Sequence, residues 1–217
     1  GLGNRPYFYQ LTALQSKYTL DFRRPFTLTA QLSLGDGMNT ASDGLAVSFT
    51  SDSTFIDRYT GMSGGSLGVY NGGLTKGIVS EIDTWGNTGA DDANYAKYGD
   101  GDQGRNGGNQ SAHIDINGVI GTNVTHLHNA SDPANNWKIG SASNVKGTNT
   151  IKIDWNPEDN SLYFQYGSYE INVSQLDINK YIDNPEEVYL IFSSATGSKS
   201  YQPGKPVENT FTFETFK

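Results

Sequence analysis

Residues 77–87 read Gly77-Ile78-Val79-Ser80-Glu81-Ile82-Asp83-Thr84-Trp85-Gly86-Asn87. β-Branched and apolar residues open the run, acidic residues then alternate with apolar ones, and Gly86-Asn87 supplies turn chemistry. The stretch is therefore a strand running into a loop. Side chains on a strand alternate with period two, so Glu81 and Asp83 project from the same face. Behind them, from Thr88 to Gly108, Asp, Asn and Gly dominate and apolar residues nearly vanish. A loop of that length in a compact domain is usually functional or disordered, and its place directly after an acidic strand favours function.

Working outward, similar short runs recur between turn signals. Leu28 to Leu34 alternates and stops at Gly35-Asp36-Gly37, while Gly44 to Phe49 is dense enough for a strand buried on both faces. Ile114 to Asn117 follows the acidic loop. Thr150 to Trp155 and Ser161 to Tyr166 flank Asn156-Pro157-Glu158-Asp159-Asn160 and make a hairpin. Glu187 to Ser193 and Asn209 to Phe216 close the series, and a helical turn is expected only near Val173 to Asp177. Many short strands without interleaved helices predict an all-β sandwich, a single domain over residues 1–217. Composition agrees: 26 Gly and 20 Asn serve turns, 10 Phe and 13 Tyr suit strands, and only two Met are present.

Charge and length exclude several classes. Fifteen Lys and Arg against 23 Asp and Glu give a net charge of −8. Such a chain lacks the basic footprint of a nucleic-acid binder, and its apolar stretches are far shorter than the roughly 20 residues that span a bilayer. A soluble protein is expected, with no nucleic-acid partner and no membrane insertion. The absence of Cys removes disulfides and thiolate metal sites. Residues 1–10 show no basic-then-apolar export signal.

The chemistry concentrates at Glu81, Asp83, Asn87, Asp91, Asp92, Asp100 and Asp102. Calcium takes six to eight oxygen ligands from carboxylates, carboxamides and main-chain carbonyls. Asp83, the Trp85 carbonyl, Asn87 and a carboxylate returning from the loop would serve; a solvated Asp/Asn loop is the alternative. Glu-Ile-Asp on a strand also matches the start of a sandwich-fold β-glucanase motif. Retaining hydrolysis needs a second carboxyl roughly 5–5.5 Å away, and the positions that would carry it hold Trp85 and Gly86. His126 and His128 alternate and share a face; with no third ligand nearby they read as ordinary surface histidines. Tyr70 and Trp85 are candidate apolar platforms for a sugar ring, and Trp137 and Trp155 are core aromatics. The sequons at Asn109, Asn123, Asn129 and Asn172 are expected by chance in so Asn-rich a chain. No Ser/His/Asp triad stands out, and no enzyme is expected.

Several of these segments, in order, resemble one family. Glu81 to Asn87 is similar at every specified position to the Glu-x-Asp-Thr-aromatic-x-Asn metal stretch of the legume-lectin-like (L-type) lectins. Asp43-Gly44-Leu45-Ala46-Val47-Ser48-Phe49 resembles their Asp-Gly-Leu-Ala-Phe segment. Gly64 to Tyr70 resembles their Gly-rich segment, and Val188 to Gly197 their Val-x-Val-Gly-Phe-Ser-Ala-x-Thr-Gly signature. Leu11-Thr12 and Asn209 to Phe216 fall where the first and last strands of that family would pair. The likeness spans nearly the whole chain and is greatest to modules of Gram-positive surface adhesins.

The resemblance implies a concanavalin-A-like jelly-roll sandwich that holds Ca2+ through Asp83, Trp85, Asn87 and either Asp100 or Asp91, with Asp100 favoured. It implies a sugar site at Asp43, Gly65, Ser66, Trp85, Asn87, Thr196, Gly197 and Ser198, with a cis peptide before Asp43. A second, transition metal would use a histidine position that is Ser111 here, which leaves Glu81 as a partly buried, hydrogen-bonded carboxylate. The function it implies is calcium-dependent glycan attachment by a non-enzymatic module of a larger, cell-wall-anchored extracellular adhesin, whose partners are host or microbial glycans. Alternatives are a glycoside hydrolase or lyase on the same sandwich, or a structural adhesin domain that keeps calcium without sugar.

Overall fold

The computed structural model describes residues 11–34, 44–57, 59, 66–70, 73–84, 112–129, 131–195 and 209–217. Its strands are β1 (Leu11–Gln15), β2 (Phe26–Leu34), β3 (Gly44–Thr50), β4 (Lys76–Asp83), β5 (Ala112–Ile120), β6 (Asn123–His126), β7 (Lys138–Gly140), β8 (Thr148–Asn156), β9 (Ser161–Tyr166), β10 (Tyr169–Val173), β11 (Tyr189–Ala195) and β12 (Asn209–Phe216). Among the described residues one short α-helix, α1 (Ile178–Tyr181), lies just past the stretch expected to turn helically, Val173 to Asp177. Leu176 and Tyr181 are buried on either side of that boundary, so core burial decides where the turn forms.

Among the described residues all strand pairings are antiparallel. Seven strands form one sheet in the order β1-β11-β3-β4-β5-β6, with β7 also on β5, and five form the other in the order β10-β9-β8-β2-β12. The all-β jelly-roll sandwich expected from the sequence is the fold of the chain. Among the described residues the first and last strands do not pair with each other: β1 lies against β11 and β12 against β2, in different sheets.

Pattern becomes packing most directly in β2. Phe26, Leu28, Ala30, Leu32 and Leu34 face inward and the residues between them face out, the period of a half-buried strand. These side chains meet Leu45, Val47, Phe49, Ile78, Ile82, Ile114 and Ile116 of the opposite sheet in the main core. Each such side chain contributes about 1.5–3 kcal/mol by leaving water. An aromatic knot ties the sheets together. The Trp155 Nε1 donates to the Phe22 carbonyl at 2.7 Å, its ring stacks on Phe22 at 5.3 Å, and Phe22 meets Phe49 edge-on at 5.2 Å.

Every residue of β3 is buried, as its density of apolar residues predicted. Its second face, with Val79, Val119, Val124 and Ile191, is roofed by Phe55, Leu67, Val69, Tyr70 and Leu74. Phe55, Leu67, Val69, Tyr70 and Leu74 thus supply a third layer over the outer face of the seven-stranded sheet.

The predicted hairpin joins β8 to β9 through residues 157–160. Asn156 and Asp159 accept main-chain N–H bonds from Glu158 and Ser161, and Asn160 takes a left-handed φ of 52°, which Asn tolerates better than most residues.

At the surface, Arg23 donates to Asp21 from its main-chain N at 3.0 Å and its Nε at 2.9 Å, and reaches Glu186 at 2.6 Å. The side-chain hydrogen bond from Arg23, followed by the main-chain one, lowers the Asp21 carboxyl to about 2. A carboxylate with a depressed folded pKa adds stability above its ordinary value of 3.8 and loses it as pH falls through about 2. The exposure of this pair keeps that contribution small. A carboxyl NMR titration should give an Asp21 midpoint near 2, and Arg23→Gln should return it toward the ordinary value.

Candidate functional site

The outer face of the seven-stranded sheet changes character along β4 and β5. Ile78, Ile82, Ile114 and Ile116 point into the main core, so strand parity sends Glu81, Asp83, His113, Asp115 and Asn117 to the other face. All five are buried there. Antiparallel register sets Glu81 opposite Asp115 and Asp83 opposite His113.

A tight turn brings in β6. Ile120 pairs with Asn123, so Gly121 and Thr122 are the whole connection, and Gly121 has φ 61°, as a turn with Gly at its first central position requires. That turn fixes Asn117 opposite His126. Two residues on, the same register brings His128 to Asp115.

Hydrogen bonds complete the cluster. Asp115 Oδ1 accepts from the Ile116 N–H at 2.6 Å and lies 2.8 Å from His128 Nδ1, while Oδ2 lies 2.6 Å from His126 Nδ1. An ionised carboxylate only accepts, so both imidazoles donate. Burial alone would raise the Asp115 pKa. Hydrogen bonds from His126 and His128 and the attraction of their charges outweigh it and hold the carboxyl well below the usual range. The Tyr70 hydroxyl donates to Glu81 Oε2 and accepts from Asn117 Nδ2 at 3.1 Å. Burial, then the charge of Glu81, raises the Tyr70 pKa well above that of a free phenol. His113 Nε2 is 3.8 Å from Glu81 Oε1, and the Trp137 ring lies 5.8 Å from His128 and 6.4 Å from His113.

Two sequence expectations are corrected here. His126 and His128 are not ordinary surface residues: the His128 side chain is fully buried and both rings clasp Asp115. The third partner was hidden because it precedes them by more than ten residues and is brought round by the Gly121 turn. Tyr70 cannot serve as a sugar platform, because its ring is buried within the roofing layer and its hydroxyl is committed to Glu81 and Asn117. The expectation for Glu81 holds: it is a buried, hydrogen-bonded carboxylate. Trp137 and Trp155 are core aromatics as expected.

Tyr70→Phe should destabilise the protein by about 1.5–3 kcal/mol, since it removes a hydroxyl that donates to one buried carboxylate and accepts from a buried carboxamide. Urea denaturation of the variant beside the parent chain measures this.

Among the residues expected to hold metal or sugar, Asp83 and Ser66 are described. Asp83 ends β4 and is buried. Ser66 is also buried, its carbonyl accepting from the N–H groups of Val69 and Tyr70. Asp43, Gly65, Trp85, Asn87, Asp91, Asp100, Thr196, Gly197 and Ser198, the cis peptide before Asp43 and the Ser111 position lie outside the described residues. Their neighbours locate where those segments leave the sheet. Ala195 pairs with Gly44, Gly44 with Asp83 and Asp83 with His113. One row across four adjacent strands therefore carries the attachment points of Asp43, Trp85 and Thr196. Among the described residues Glu81, Asp83 and Asp115 are buried carboxylates, and no Lys or Arg is buried.

This two-sheet arrangement has many solved counterparts. Lectin I-B4 of Griffonia simplicifolia, in its metal-free form, superposes with a TM-score of 0.58 at 18% identity over 96% of this chain and 80% of that one. The chain has the legume-lectin fold. Lectin UEA-II complexed with galactose gives a TM-score of 0.56 at 13% identity, covering 98% and 81%. The Bauhinia forficata lectin in complex with GalNAc gives 0.51 at 17%, covering 97% and 80%. No sequence-family profile matches the chain. Among curated proteins, the pesticidal crystal protein Cry22Aa of Bacillus thuringiensis is 39% identical over 83 residues, 38% of this chain and 11% of that protein's length. Within the legume-lectin fold, β4 brings Glu81 and Asp83 to the outer face of the larger sheet.

Proposed function

We propose that this chain is a calcium-dependent, non-enzymatic carbohydrate-binding module of a bacterial cell-surface adhesin, exported and borne on a larger protein. The observation that carries the reading is the row Ala195, Gly44, Asp83 and His113. It brings to one sheet end the described strand residues next to which, in sequence, stand Asp43, Trp85 to Asn87 and Thr196 to Ser198. The fold shared with sugar-complexed lectins and the ordered sequence resemblance support it. The buried carboxylates fit a cation: three of them with no buried Lys or Arg among the described residues call for positive charge from imidazolium or from a bound ion. Asp83, the Trp85 carbonyl, Asn87 and Asp100 or Asp91 would hold Ca2+, whose all-oxygen preference they meet. Asp43 would accept from sugar hydroxyls, as an ionised carboxylate does. Glu81 is a poor hydrolytic carboxylate, being buried beneath Tyr70. Weak single-site affinity would be multiplied by display in many copies.

A glycan array run with and without calcium tests the proposal. Chelation should abolish binding and lower the melting temperature together, because an ion bound only to the folded state stabilises it by mass action. Calcium alone should restore both. Binding that survives exhaustive chelation overturns the calcium part; an array without hits in saturating calcium overturns the carbohydrate part.

A further inference from the structure

We propose that Asp115, His126 and His128 form a second, separate site for a borderline divalent transition-metal ion, for which Zn2+ is the probe. The three residues each present one ligand atom, and those atoms lie within 4.8 Å of one another. Bonds of about 2.0–2.1 Å in a tetrahedral site place ligand atoms a little over 3 Å apart. The present spacings of 2.6 and 2.8 Å from carboxylate to imidazoles therefore need to open only slightly. Two imidazole nitrogens and one carboxylate oxygen suit zinc and its neighbours, whereas calcium takes oxygen. Three protein ligands leave a fourth position for water.

The surroundings hold this set in place. The Ile116 N–H fixes Asp115 Oδ1, Trp137 packs 5.8 Å from the His128 ring, and the two imidazoles stand 3.9 Å apart. His128 Nε2 is buried and has no hydrogen-bond partner among the described residues. None of the three residues occupies a position that the sequence resemblance assigns to metal, and the site does not depend on sugar binding.

The test is a Zn2+ titration of untagged, metal-stripped protein saturated with Ca2+, followed by calorimetry and by 15N NMR of the imidazoles. One equivalent should bind, with the His126 and His128 nitrogens shifting and His113 moving less. His126→Gln, the milder change because that side chain is partly exposed, should weaken zinc by about 100-fold or more, beyond the usual effect of losing an outer-shell partner. His128→Gln should do the same. The NMR shifts are read on the parent chain and so hold even where a variant folds poorly. The proposal is overturned if no stoichiometric zinc binds, leaving the triad a hydrogen-bonded cluster. It is equally overturned if zinc survives both histidine variants and is lost on Glu81→Gln. Saturating calcium keeps either result independent of the carbohydrate and calcium proposals.

Discussion

Gly44→Ala is expected to destabilise the protein by about 3 kcal/mol or more, the combined effect of a strained backbone and a steric clash. Gly44 opens β3 at φ 141°, a conformation that L side chains rarely adopt, and a Cβ there would stand 1.9 Å from the Ile82 carbonyl oxygen. That oxygen is main chain on the neighbouring strand, so no rotamer change relieves the contact; β3 and β4 must separate. The separation falls at the Gly44–Asp83 pair, so the proposed glycan and calcium binding should weaken along with stability. Urea denaturation reads the first effect and calcium titration the second. Unchanged stability would mean that the β3–β4 register differs from the one described.

Asp115→Ala, in metal-free buffer, should cost about 3–5 kcal/mol, the range for removing one partner from a buried ion pair. Three donors lose their acceptor at once: the Ile116 N–H and the two imidazoles. Asp115→Asn keeps an oxygen while losing the charge, and should cost clearly less. Thermal and chemical denaturation of both variants separate the acceptor role from the charge role. Equal and small losses in the two would show that the histidines satisfy themselves elsewhere.

The strands were legible because period-two alternation writes burial directly into sequence. The alternating half-burial of Leu28 to Leu34, the two-sided burial of Gly44 to Phe49 and the β8–β9 turn all follow from residues within a few positions of one another. Glu81 and Asp83 on one face were legible for the same reason. The histidine cluster was not, because it depends on register between strands. The signal was present in Gly121-Thr122: once read as a two-residue hairpin turn, it fixes Asn117 against His126 and carries Asp115 to His128. The burial of Tyr70 was illegible too, since it requires Phe55, Leu67, Val69 and Leu74 to pack over the sheet beside it, and no local periodicity encodes that layer. Pairing of the outermost strands failed similarly: β1 and β12 choose partners by sheet membership, which neither segment states alone.

The positions of two tryptophans give this chain a built-in optical readout. Trp155 sits in the aromatic knot between the sheets, away from the polar cluster, whereas Trp137 lies within 6.5 Å of the His113 and His128 ring centres. Indole emission is quenched by protonated imidazole and responds to a nearby charge. In a Trp85→Phe background, fluorescence after Trp155→Phe therefore follows Trp137 beside the histidines, while Trp137→Phe leaves Trp155 to report loss of the core, so the two processes can be timed separately in one stopped-flow instrument without an added dye.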